Sequence, residues 1–217
     1  MERRTSAFYQ RRHRDRLREQ GLVKKELWVR PEYADALLAI ERRMRRPPGA
    51  EEDTMADTVT VAAPQASMRL PPGAGVLWTA PALCAAIAAC EQVRDGAISV
   101  ELIEGAEPGL YLTMREYGDL PLFMAVVGRQ IVVEALLWPV SQVRDPARFN
   151  EALLRTHKLF PLSTLGIEIM DGESVYIMFG ALSAGSSLAE VLFEIETLAD
   201  NVIRATEAYE THLREVA

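Results

Sequence analysis

The chain has 217 residues, a net charge of −7, 49% hydrophobic and 25% charged residues, which is ordinary globular composition with room for one packed domain and an appendage. No apolar run approaches the roughly 20 residues a membrane-spanning helix needs, and the arginine-rich N-terminus lacks the apolar core of a secretory signal. A cytoplasmic protein is therefore expected. The charge is segregated: residues 1–48 carry 14 Lys plus Arg against 7 Asp plus Glu, a net of +7, and residues 49–217 carry 10 against 24, a net of −14. That separation predicts modules with different partners, because a basic segment attracts polyanions and an acidic body repels them.

In chain order, Thr5 to Gln20 reads as a helix rich in arginine (11, 12, 14, 16 and 18), with few apolar side chains to support it and Gly21 as its stop. Lys24 to Arg30 is a short alternating extended run, and Pro31 opens a second helix through about Arg46, with Tyr33, Leu37, Ile40 and Met44 on one stripe. Residues 1–47 thus form a small basic α-β-α arm. Residues 48–75 read as a flexible proline-rich linker.

The body, residues 76–217, starts with a helix from Thr79 and Pro81 to about Arg94. An antiparallel meander of four strands follows, near 97–104, 110–116, 120–127 and 130–138, punctuated by Gly118-Asp119 and Gly128-Arg129. Asp145-Pro146 starts the next helix, to about Leu159. Strands near 165–170 and 174–179 are joined by Asp171-Gly172, a strong hairpin signal. Ser187 with Glu190 forms a capping box for a last helix to about Leu213, with Glu194, Asp200, Glu207 and Glu210 as a solvated outer face. The expected class is α+β, an antiparallel sheet in the order α-β-β-β-β-α-β-β-α.

No arrangement of catalytic residues stands out, so a non-enzymatic protein without cofactor or metal is expected. His13 and His212 read as surface residues, and His157 as a surface or capping residue at the end of the middle helix. Cys84 and Cys90 lie six helical positions apart, about 9 Å of rise and about 120° of rotation, which no disulfide spans; both read as small buried hydrophobes. The stretch Gly180 to Ser187 lacks the lysine of a phosphate loop and reads as a strand-to-helix turn with a serine cap. Glu101, Glu104, Glu116, Asp119 and Glu134 read as solvated sheet-face and turn carboxylates.

In the arm, the strand and following helix resemble the first half of a ribbon-helix-helix module and the basic N-terminal region of MazE-like antitoxins, although no second helix follows in residues 49–65. That resemblance implies a nucleic-acid surface at Arg11, Arg12, Arg14, Lys24, Lys25, Trp28 and Arg30. In the body, Met114 to Phe123, Glu134 to Val140, Arg155 to Ser163 and Phe193 to Asn201 resemble, as four blocks in order, the YjfI family of uncharacterised bacterial proteins, across about 78–212. The resemblance implies no known activity, but family members are typically encoded beside homologues of phage-shock protein A, a coiled-coil protein of envelope stress. The element order is also similar to that of type III secretion chaperones, small α+β homodimers that hold a partner segment.

Two readings follow. One is a chaperone-like adaptor or regulatory binding protein linked to a phage-shock-type system, homodimeric, with Tyr117, Leu120, Pro121, Phe123 and Trp138 as apolar anchors for a protein partner. The other is a DNA-binding transcriptional regulator that uses the arm, with the acidic body as sensor or dimerisation domain.

Overall fold

The computed structural model describes residues 5–24 and 77–214, together with Leu37, Ile40, Glu41 and Met44. These fall into two compact units: residues up to Arg16 with those from Leu77 onward, and those from Leu17 to Met44. In the second unit the four separate residues 37, 40, 41 and 44 are helical. The expected strand at 24–30, apart from Lys24, and the expected linker at 48–75, lie outside the described residues.

The first unit is an α+β fold on a six-stranded, wholly antiparallel sheet, in the spatial order β1-β2-β3-β4-β6-β5. Its strands are β1 (Ile98–Ile103), β2 (Gly109–Met114), β3 (Leu120–Val127), β4 (Gln130–Pro139), β5 (Thr164–Met170) and β6 (Glu173–Ser183). The helices are α1 (Ser6–Glu19), α2 (Ala80–Ala88), α3 (Glu91–Arg94), α4 (Pro146–Thr156) and α5 (Leu188–Ala208).

Local chemistry sets the boundaries. Thr79 accepts a hydrogen bond from the Ala82 amide at the start of α2, and Asp145 accepts one from the Arg148 amide at the start of α4. Asp171 and Gly172, both at positive φ (51° and 82°), make the tight β5–β6 turn. The capping box forms: the Ser187 hydroxyl accepts from the Glu190 amide, and the Glu190 carboxylate accepts from the Ser187 amide at 2.7 Å. Those contacts, the Ser187 amide first, hold the Glu190 carboxyl below its ordinary range.

One face of the sheet builds the core. Leu110, Leu112 and Met114 from β2, Leu120, Leu122 and Met124 from β3, and Ile131, Val133 and Ala135 from β4 are buried against Leu83 and Ile87 of α2 and Val191, Ile195, Leu198 and Val202 of α5. A register shift between Leu136 and Trp138 breaks the alternation of β4, so Leu137 and Trp138 are both buried. Trp138, Phe149, Tyr176 and Tyr209 then form an aromatic cluster, with Phe149 packed edge-on to both tyrosines at 5.1 and 5.3 Å.

Five expectations need correction. The helix expected through Arg94 breaks at Ala89-Cys90 because Cys90 is extended, and Cys84 and Cys90 are half-buried instead of buried. The last helix stops at Ala208, and a 3-10 turn at Glu210–His212 brings Leu213 to bridge Val143. That turn half-buries His212, whose ring lies 5.1 Å from Phe149. β6 runs on to Ser183, so Gly180 to Ser183 are strand residues and the turn into α5 is shorter than expected.

The N-terminal helix also departs from the reading of residues 1–47 as one arm. Ser6, Gln10 and His13, spaced by four and three, form a buried polar stripe on α1. The helix backbone sits on Gly118, where φ is 76° and a Cβ would come within 2.5 Å of the Tyr9 carbonyl and 3.0 Å of the His13 amide. His13 is therefore a buried contact residue: its Nδ1 donates to the Glu116 carbonyl at 2.6 Å, and its ring stacks on Tyr117 at 5.4 Å.

Candidate functional site

The second face of the sheet is the candidate site. Strand alternation sends Tyr111, Pro121, Phe123, Val132, Glu134, Leu136 and Phe179 to the side opposite the core, and all are half-buried. The register lines up Tyr111, Phe123, Glu134 and Phe179 as direct neighbours across β2, β3, β4 and β6. Tyr111 and Phe123 pack edge to face, with centroids 5.3 Å apart. On β5, Thr164 stands opposite Phe179, and the Phe179 ring leans diagonally to within 3.6 Å of where a Cβ on Gly166 would stand. The small residue gives the ring its place.

A carboxylate stands in the middle of this aromatic row. Burial, and then the neighbouring Glu168, push the Glu134 carboxyl above its ordinary range. Exposed Glu101, opposite Tyr111 on β1, adds acid at the other end of the row. The face is thus apolar with an acidic centre and acidic margins. Glu134 was expected on a solvated face; flanked by Phe123 and Phe179 it is half-buried instead.

The five expected anchors do not converge. Leu120 and Trp138 are in the core, 0% and 1% exposed, and offer nothing to a partner in this arrangement. Tyr117 lies under α1, stacked on His13. Pro121 and Phe123 are on the second face. The residues that complete it, Tyr111, Glu134, Leu136 and Phe179, could have been found by writing out the off-core positions of each strand, where aromatic residues recur.

The expected nucleic-acid residues also separate. Arg12 pairs with Asp119, and Arg16 comes within 3.8 Å of the same carboxylate. Arg14 donates to the Gln10 side chain at 3.3 Å. Arg11 and Lys24 are exposed, while Lys25, Trp28 and Arg30 lie outside the described residues. His157 is exposed and its Nδ1 donates to the Leu154 carbonyl at 2.9 Å, a local capping contact. Among the described residues no group of three or more His, Cys, Asp or Glu is placed to hold a metal ion, and no helix is long and apolar enough to cross a membrane.

One acid was misplaced by the sequence pattern. Glu194, expected on the solvated side of the last helix, is 2% exposed. Its Oε1 has no hydrogen-bond partner, and it lies where a Cβ on Gly180 would stand. Burial raises its pKa.

A helix-backed antiparallel sheet with a half-buried acidic-aromatic face is the architecture this chain contributes to its family. Residues 77–213 match the model of the DUF2170 family, uncharacterized proteins conserved in bacteria, and the chain belongs to that family. It is 40% identical over 110 residues to the uncharacterized protein YjfI of Escherichia coli K12, covering 51% of this chain and 83% of that protein, and equally to YjfI of E. coli O157:H7. Among solved structures it is similar to YbjN from E. coli, at 16% identity and a TM-score of 0.37, covering 51% of this chain and 84% of that one. An uncharacterized protein from Methanothermobacter thermautotrophicus is similar at 10% identity and a TM-score of 0.37, over 53% and 90% of the two chains.

Proposed function

We propose that this protein is a non-enzymatic, chaperone-like adaptor whose second sheet face docks an amphipathic helix with an apolar stripe and basic flanks. The observation that carries this reading is the row Tyr111, Phe123, Glu134 and Phe179: an aromatic surface supplies area, and an acid held among the rings rewards a cation that arrives with the partner. A lysine or arginine brought to Glu134 restores its ionised form and offsets the repulsion from Glu168. Coiled-coil proteins present such helices, and the resemblance to the YjfI family makes a phage-shock protein A-type coiled coil the first partner to test.

The test is co-purification of the full chain with a phage-shock protein A-type protein, using wild type, Phe123→Ser and Glu134→Lys, with far-UV circular dichroism to verify folding. Wild type is expected to retain the partner, and both folded variants to lose it. Retention by both variants would reject this face as the dock. A wild-type chain that self-associates through the same residues, read by light scattering, would make the face a homodimer interface instead. The DNA-regulator alternative predicts steeply salt-dependent duplex binding that is lost when Arg11, Arg12, Lys24 and Lys25 become Ala. The pairing of Arg12 with Asp119 counts against it, since a phosphate would have to displace that carboxylate.

A further inference from the structure

We propose that the outer edge of β6 at Ala181 to Ser183 takes an extended segment of a partner protein by strand addition, with a lysine or arginine of that segment reaching Glu194. The site is separate from the second sheet face and would stand if that dock failed. It begins with a mismatch in strand length. β5 stops pairing with β6 at Thr164 opposite Phe179, but β4 continues along β6 as far as Gln130 opposite Ser183. Leu162, at φ 63°, precedes β5 and lines the pocket beside this edge. Beyond Phe179, then, β6 is an edge strand among the described residues.

The register shows which groups that edge presents. Ala184 donates its amide to the Arg129 carbonyl beyond the end of β4. Because N–H and C=O groups alternate sides along a strand, Leu182 and Gly180 also face β4, and Ala181 and Ser183 face outward. The Ser183 carbonyl accepts from the Ser186 amide at 2.9 Å. Among the described residues, what remains for a partner is the Ala181 amide and carbonyl and the Ser183 amide, the start of an antiparallel ladder.

A pocket beside this edge supplies side-chain recognition. It has a volume of about 420 Å³ and is lined by Leu162, Leu182, Ser186, Ala189, Phe193 and Glu194. Phe193 and Leu162 are 52% and 60% exposed, large apolar side chains that an incoming segment would cover. Glu194 is almost fully buried and its Oε1 has no hydrogen-bond donor among the described residues. A residue of the added strand beside Gly180 or Leu182 points to the same side of the sheet as Glu194. A long stem with a cationic tip matches the site: the methylenes pack on Leu182 and Phe193 and the tip supplies the missing donor. An uncharged side chain of equal length would leave the acid unsatisfied.

The experiment titrates the full-length protein with the blocked peptide acetyl-Thr-Val-Lys-Val-Thr-amide and with its norleucine counterpart, following backbone amides by NMR. The lysine peptide is expected to shift the Ala181 and Ser183 amides and to bind at least about tenfold more tightly than the norleucine peptide, the worth of one charge-assisted hydrogen bond. Glu194→Gln should equalise the two peptides. Ala181→Pro removes an outward-facing amide, a place where an edge strand tolerates proline, and should abolish binding with the fold intact. Phe123→Ser should leave peptide binding unchanged, which separates this site from the second sheet face. Absence of shifts at both amides, equal affinity of the two peptides for wild type, or undiminished binding by folded Ala181→Pro would each overturn the proposal.

Discussion

The two faces of the sheet are made from the same strands and differ in what they ask of a side chain. On the core face, Leu112, Leu122 and Val133 are sealed by α2 and α5, at 0 to 1% exposure. One residue along, Thr113, Phe123 and Glu134 are half-buried and turned the other way. Both faces are largely apolar. The difference is that the first is closed by helices while the second has an acid among its rings. Apolar composition marks both faces; the half-buried row of Tyr111, Phe123 and Phe179 with Glu134 among the rings marks the one suited to a charged partner.

Neighbouring residues give the largest contrast. Leu122→Ala empties a fully buried position and should cost about 2–5 kcal/mol in chemical denaturation. Phe123→Ala, one residue along β3 on the opposite face, should cost about 1 kcal/mol or less, because its ring retains water on one side. Equal losses at the two positions would mean that the second face is sealed as tightly as the core.

Next in size is the close approach of β6 to α5. A methyl group on Gly180 would occupy the position of the Glu194 carboxyl, so Gly180→Ala should destabilise the protein by about 1–3 kcal/mol. Glu194→Ala in the same chain should relieve most of that loss, giving a strongly non-additive double-mutant cycle. Additive losses would place the carboxyl elsewhere.

The order of elements along the chain and the helix caps were legible in the sequence because each rests on local chemistry, whereas the long-range pairing of β6 with β4 was not. Asp171-Gly172, Asp145-Pro146 and Ser187 with Glu190 all form the turn or cap their residues imply. Glu194 was not legible. Its helical position looks solvated until the glycine opposite it is known, and Gly180 is 14 residues earlier on another element. The stripe Ser6, Gln10 and His13 was missed for a related reason: it is polar, and hydrophobic periodicity does not report a buried polar face. Trp138 was misread because the bulge in β4 breaks the alternation there, whereas Leu120 is in phase with Leu122 and Met124 on β3 and its burial followed from plain alternation.

The two raised carboxyls make the comparison a function of pH. Glu194 is raised by burial, and Glu134 by burial and then by Glu168. In each case the folded protein keeps a proton that the unfolded chain releases near its ordinary carboxyl pKa of about 4.3. The folded state binds more protons through that window, so each acid's stabilising contribution is present below it and is lost as pH rises through the folded value. Glu194→Gln should therefore flatten the fall in melting temperature as pH rises from the ordinary carboxyl range through the raised folded value, and raise stability at neutral pH. Glu134→Gln should act in the same direction, and a bound cationic partner should suppress its effect while leaving that of Glu194→Gln intact.

The smallest expected change concerns the docked helix. Asp119 meets Arg12 and approaches Arg16, but the arginine side chains are 42% and 32% exposed, and pairs in such contact with water contribute under about 1 kcal/mol. Asp119→Asn should thus barely move the midpoint of unfolding, and its effect should shrink further in high salt. Gly118→Ala acts on the same helix through sterics: the added methyl meets the Tyr9 carbonyl, and φ of 76° is already unfavourable for alanine. Hydrogen exchange at residues 6–16 should accelerate in Gly118→Ala and change little in Asp119→Asn. If the charge variant loosened the helix as much as the steric one, the arginines, and not the fit of the α1 backbone over Gly118, would be what holds this basic helix to the acidic body.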